Sequence, residues 1–185
     1  RLVCLPCHPS PALAASGLLV ERIGGAGAFP YQPAGLWKDK GSATYPQGTG
    51  ESLYRRSLYT YWKRTSPPPS MMLFDAAKRD VCVAQRGSTA TPLQALVLLN
   101  DVQFVEASRV LAERALREGG LAAAEQVEFA FRSLTGRRPS ADERDVLAEL
   151  FQSQRAAMEA DPEAAALLAA IGQWPRDESL DMFDV

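Results

Sequence analysis

Histidine is nearly absent from this chain: His8 is the one imidazole in 185 residues. Ser-His-Asp and Cys-His schemes need an imidazole beside the nucleophile, so the body of the chain lacks the base for them. Cysteine is scarce too. Cys4, Cys7 and Cys82 are odd in number, which excludes a complete set of intrachain disulfides. Cys82, set in Val81-Cys82-Val83, reads as a small buried apolar residue, since a reactive thiol needs a basic or helix-terminal setting. No apolar run reaches the roughly 18 residues of a membrane-spanning helix. Charge of one sign is missing as well. Twenty basic and 22 acidic residues leave a net charge of −2, which gives no general electrostatic pull towards nucleic acid or an anionic membrane. The chain starts at Arg1 without a signal-peptide pattern and stops at Asp181–Val185 without a helix stop, so it reads as a portion of something longer.

What is present divides in two. Hydrophobic residues make up 46%, enough for a core. Residues 1–90 hold most of the Gly, Pro, Tyr and Trp, and residues 91–170 are rich in Ala, Leu, Glu and Arg at helical spacing. The first part opens with a helical candidate from Pro11 to Leu19, broken by Gly24 and Gly25. From Ala26 to Gly50, Phe29, Tyr31, Leu36, Trp37 and Tyr45 are scattered through Gly, Pro, Ser and Thr. A solvated linker would not carry so many rings, so this reads as a long loop pinned to the core by them. In Leu53–Arg64 the aromatic residues and Thr60 favour a strand, although Leu53, Ser57, Leu58 and Tyr61 also make a helical stripe; the balance leans to strand. Pro67, Pro68 and Pro69 end it as a rigid connector. Met71–Phe74 follows, and Asp80–Val83 is again strand-like.

The second part reads as helices. Thr91 followed by Pro92 is a helix start. Leu93, Leu96, Val97 and Leu99 make the next helix apolar nearly all round, which predicts a central core helix. Asn100-Asp101 interrupts it, and Asp101 can cap a helix with Phe104, Val105, Ser108, Leu111, Ala112 and Ala115 on one face, stopped by Gly119-Gly120. Ala122–Leu134 forms a third, carrying Val127, Ala130, Phe131 and Leu134 and ended by Gly136. Ser140 and Glu143 form a capping box for a fourth, with Val146, Leu147, Leu150 and Phe151, and Asp161-Pro162 restarts a fifth through Ala170. The expected class is mainly α. An antiparallel bundle of about five helices spans 91–170, behind an irregular, aromatic- and Pro/Gly-rich N-terminal half with room for short strands. The expected organisation is an atypical, disordered flank over 1–13, a single domain over 14–180 and a truncated tail over 181–185.

Several ordered stretches resemble one family. They are SGLLVERIGG, PYQPAGLW, LYRRSLYTYWKRTSPPPSMMLFDAAKRDVCVAQR, TPLQALVLLNDVQFVEASRVLAER, FAFRSLTGRRPSADE and PRDESLD. Together they resemble the C-terminal domain of unknown function of planctomycete cytochrome c-associated PSD-type proteins, from about Ala14 to Leu180. The resemblance implies a large exported multidomain protein, a periplasmic or extracytoplasmic location, and upstream domains of the same polypeptide as partners. It brings no established catalytic residues. The first dozen residues depart from the family pattern, and so does the stop near 185.

Cys4-Leu5-Pro6-Cys7-His8 matches the c-type haem attachment motif. Two thioethers and a His ligand would hold the haem c, and Met71 or Met72 could supply the second axial ligand. Only three residues precede Cys4, and the motif falls in the stretch that departs from the family, so the main reading assigns no cofactor and no metal. Paired-carboxylate chemistry has Asp75, Asp80 and Asp101 as candidates, each equally a turn residue, a cap, or a partner for Arg79 or Arg86. Arg55, Arg56, Tyr59, Tyr61 and Trp62 form the best interaction surface, through bidentate guanidinium pairing and ring stacking. The bland alternative, which is favoured, has the arginines bridging to Asp75 or Asp80 and the rings packing inward. Arg137-Arg138 reads as a solvated helix–helix turn. The leading function is a structural and interaction domain that docks against its neighbour, with no catalysis assigned. The alternatives are haem c electron transfer through Cys4, Cys7 and His8, and a polysaccharide-processing enzyme or accessory domain.

Overall fold

A computed structural model describes residues 10–38, 44–77, 84, 87, 89–181 and 183. Among these, seven α-helices and two short 3₁₀ turns form, and no strand. The helices are α1 (Ser10–Ser16), α2 (Pro69–Leu73), α3 (Pro92–Asn100), α4 (Val102–Glu118), α5 (Ala123–Thr135), α6 (Ala141–Ala160) and α7 (Pro162–Ala169). The chain is mainly helical, with an irregular N-terminal half. It divides into two compact units. One takes Leu19–Phe104 with the described residues before Ala12, and the other takes Ala12–Leu18 with Val105 onwards.

In the first unit the expected strand over 53–64 is replaced by 3₁₀ turns at Gly50–Tyr54 and Ser57–Tyr59. Only isolated bridges form, between Val20 and Arg55 and between Ala28 and Thr60. The aromatic residues that suggested a ladder are used for packing instead. Tyr54 and Leu53 are fully buried. Phe29 stacks on Tyr61 at 4.9 Å, and Trp37 meets Tyr45 edge-on at 5.1 Å. The Tyr45 hydroxyl donates to the Pro30 carbonyl at 2.7 Å, and burial pushes its ionisation well above the ordinary phenol range. Rings thus pin this loop, as composition suggested. Pro69 is more than a connector. It occupies the first turn of α2, where a missing N–H costs nothing.

A polar knot ties α2 to α3. Thr91 caps α3 by accepting from the Gln94 N–H, and the Gln94 side chain accepts from the Thr91 N–H. The buried Gln94 amide then donates to the Leu73 carbonyl at 2.8 Å and to the Thr89 hydroxyl at 3.1 Å. Asp75, at φ +63°, accepts from Thr89 N–H and hydroxyl at 2.7 and 2.8 Å. Its left-handed backbone is the strained side of this turn.

Here the expectation of a central core helix fails for α3. Leu93, Leu96, Leu98 and Leu99 are all exposed, Leu99 by 74%. The central helix is α4. In the second unit its Ala107, Val110, Leu111 and Ala115 are buried with Leu13, Ala15, Leu18 and Ala165. The turn after α5 ends on Gly136 at φ +72°. Ser140 and Glu143 then cap α6, and the Asp161 side chain accepts from the Ala164 N–H to start α7. Arg137 and the Ser140 N–H hold the Glu143 carboxyl down to about 2. α5 packs on α6 and α6 on α7, yet neither α5 nor α6 holds a fully buried residue. Leu134, Val146 and Leu150, expected on buried stripes, are exposed because these helices form a thin layer.

Candidate functional site

The most organised polar arrangement lies on α4. Glu106, Arg109 and Glu113 follow one another at three- and four-residue spacing, which places them on one helix face. All three are buried, with exposures of 0%, 6% and 2%. The segment from Gly172 to Leu180 lies across that face. One Glu106 carboxylate oxygen accepts from the N–H groups of Gln173 and Trp174 at 2.6 and 2.7 Å. Arg109 donates to Glu113 at 2.5 Å and to the Trp174 carbonyl at 2.6 Å. Arg117 extends the ladder and pairs with Asp177. The Ser179 hydroxyl and N–H both donate to Asp177, at 2.6 and 2.9 Å. Ser179 first, and Arg117 second, hold the Asp177 carboxyl well below the usual range.

Charge in a dry interior must be matched by opposite charge or by hydrogen bonds. This ladder does both, with Arg109 balancing Glu113 and backbone N–H groups serving Glu106. Gly172 makes the crossing possible. It sits at φ +101°, and a Cβ there would collide with the Glu106 carboxyl. Nearby, Arg114 donates to the Ala15 carbonyl at 2.6 Å and grips Glu118 with two bonds of 3.1 and 2.9 Å. The whole assembly works as a lock that fastens the segment after α7 to α4.

The residues singled out from sequence are distributed differently. Arg55 is buried and spent internally. It donates to the carbonyls of Arg22, Gly24 and Ala26 at 2.9, 2.5 and 3.0 Å, and its guanidinium lies 4.0 Å from the centre of the Tyr59 ring. The suggested bridge from Arg55 to Asp75 is not what forms. Arg56 is exposed and meets Glu21 at 3.7 Å. Tyr61 is exposed, and Tyr59 and Trp62 are half-buried. Met71 is buried in α2, with Met72 half-buried beside it. Asp75 pins Thr89, and Asp101 caps α4 by accepting from the Gln103 N–H at 2.9 Å; burial raises the Asp101 ionisation. The two acids serve different turns. Arg137 pairs with Glu143 in two bonds, and Arg138 meets Glu128 at 3.5 Å. Cys4, Cys7, His8, Arg79, Asp80, Cys82 and Arg86 lie outside the described residues. Among the described residues no group of three or more His, Cys, Asp or Glu converges on a metal-sized site. Nor is any described helix long and apolar enough to cross a membrane.

The sequence reading missed Glu106, Arg109 and Glu113. They occupy the polar half of an amphipathic pattern, which ordinarily faces water. Their one legible signal was the Arg109–Glu113 spacing, and most such pairs are surface pairs.

The PSD1 family, described as proteins of unknown function (DUF1553), matches residues 10–151. The chain belongs to the PSD1 family. No curated protein and no solved structure is similar enough to match it. The PSD1 match takes in α1 to α5, the first half of α6, and the ladder residues Glu106, Arg109 and Glu113. The locked segment and α7 lie beyond the matched residues.

Proposed function

We propose that this PSD1 domain is a structural and interaction domain of a larger, exported, cytochrome c-associated protein of the planctomycete type, and that α3 docks onto an upstream domain of the same polypeptide. The observation that carries the reading is the exposed face of α3. Leu93, Leu96, Leu98 and Leu99 all stand in solvent, as does Val102 at the start of α4. From Gly87 to Asn100 there is no charged residue. Transient interfaces keep a polar, charged rim, whereas permanent ones resemble a cut core. A surface of leucines without charge suits a permanent partner, and a domain on the same chain is always at hand. Arg56 and Tyr61, also exposed, give polar contacts to the same class of partner. The reading assigns no reaction.

Hydrogen exchange on the full-length protein tests this. The amides of α3 should be protected there, and Leu96→Glu with Leu99→Glu should release that protection together with protection of a patch on the upstream domain. Fast exchange throughout α3 in the wild-type full-length protein would contradict the proposal.

A further inference from the structure

The second unit carries a cleft of about 470 Å³, lined by the end of α1, the second half of α4 and the crossing segment. Its polar wall is rich in arginine. Arg114, Arg117 and Arg176 line it against two acids, Glu113 and Asp177. We propose that this cleft binds a small organic carboxylate, with Arg176 pairing the anion and Leu18, Val110 and Trp174 covering a short apolar body.

Every charge in the wall except one already has a partner. Glu113 accepts from Arg109 at 2.5 Å. Asp177 pairs with Arg117, and its other oxygen accepts from the Ser179 hydroxyl and N–H. Arg114 is held by Glu118 and by the Ala15 carbonyl. The Ser16 hydroxyl is spent on the Leu13 carbonyl and the Leu18 N–H. Arg176 remains. Among the described residues no acid lies within ion-pair reach of it, and no acceptor meets its guanidinium. Only its Nε is closed to solvent, so the two terminal nitrogens stay open. The neighbouring acids Glu106 and Glu178 do not line the cleft. A guanidinium fork suits a flat carboxylate, which takes two parallel N–H bonds. One unpaired arginine matches one negative charge, so a dianion would bring a surplus charge to a wall that already holds two carboxylates. The apolar surface sets the rest of the ligand. Leu18 and Val110 are buried and Trp174 is exposed, and burying hydrocarbon against them is favourable. The volume lies in the lower half of the range for ligand pockets, about 300 to 1,000 Å³. The inference is independent of docking through α3, whose residues do not line the cleft.

The test is titration of the full chain with benzoate, followed by calorimetry and by shifts of the Arg176 and Asp177 amides and the Trp174 indole. Saturable binding with shifts at those three groups is expected. Benzamide keeps the shape and lacks the charge, and should bind at least ten-fold more weakly, the worth of hydrogen bonds to a charged group. Arg176→Gln should reduce benzoate affinity by a similar factor. Inorganic phosphate should bind more weakly than benzoate. If the variant does not fold, the comparison of benzoate with benzamide on the wild-type chain still decides the matter. Absence of saturable binding, equal affinity for benzoate and benzamide, unchanged affinity in a folded Arg176→Gln, or tighter binding of phosphate would overturn the proposal.

Discussion

The successive helices α3 and α4 make opposite use of their composition. α3 carries no charge, yet four of its leucines stand in solvent. α4 carries Glu106, Arg109 and Glu113, and all three are inside. The difference lies in what each helix can be covered by. The α4 charges are complementary to one another and to the backbone of 172–180, so burying them leaves few polar groups unmet. α3 buries only the polar Gln94, against Leu73 and Thr89, and the layer beside its leucines is the single short turn of helix α2. Burial thus follows the presence of a complementary covering layer. Hydrophobicity alone does not set it.

Breaking the α4 ladder should have the largest effect on stability. Glu113→Ala leaves the Arg109 guanidinium buried against an empty site, and losing one partner of a buried pair costs about 3–5 kcal/mol. Denaturant unfolding measures this, and the double change Arg109→Met with Glu113→Leu should recover most of the loss. Leu111→Ala, on the apolar face of the same helix, should cost about 2–5 kcal/mol in the same assay. Gly172→Ala comes next. The strained φ alone is worth about 1–3 kcal/mol, and the new Cβ also meets Glu106. The segment should open locally, with faster tryptic cleavage after Arg176.

Acid sharpens the contrast in another way. The Asp177 carboxyl titrates below its unfolded value, so its contribution is fully present above about pH 4 and fades as the pH falls below that. Amide exchange at 172–180 should accelerate on acidification through that range, and Asp177→Asn should make exchange there fast already at neutral pH. The smallest effect belongs to α3. Leu99→Glu in the isolated chain should change stability by no more than about 0.5 kcal/mol, as for other exposed positions.

Local signals were legible in the sequence wherever a single residue type answers a single backbone need. Thr91, Ser140, Asp161 and Gly136 marked helix ends, and the structure has them there. Two features were not legible, for physical reasons. The stretch 53–64 has the composition of a strand, but a strand requires a neighbour to pair with, and the chain around Val20 and Ala28 gives only one bridge at each place. The ladder gave no local sign of burial, because charge is normally exposed. Its partner segment lies about 65 residues away in sequence, and nothing local announces it. The interaction surface proposed around Arg55 met the same difficulty, since three backbone carbonyls between residues 22 and 26 absorb that guanidinium.

Native-state hydrogen exchange on the 185-residue chain, comparing α3 with α4, tests the account most directly. Amides from Ala107 to Ala115 should exchange only through the largest opening of their unit, and those of α3 should exchange far faster, by local opening. Equal protection of the two helices would contradict the claim that α4 is the locked centre and α3 the uncovered element.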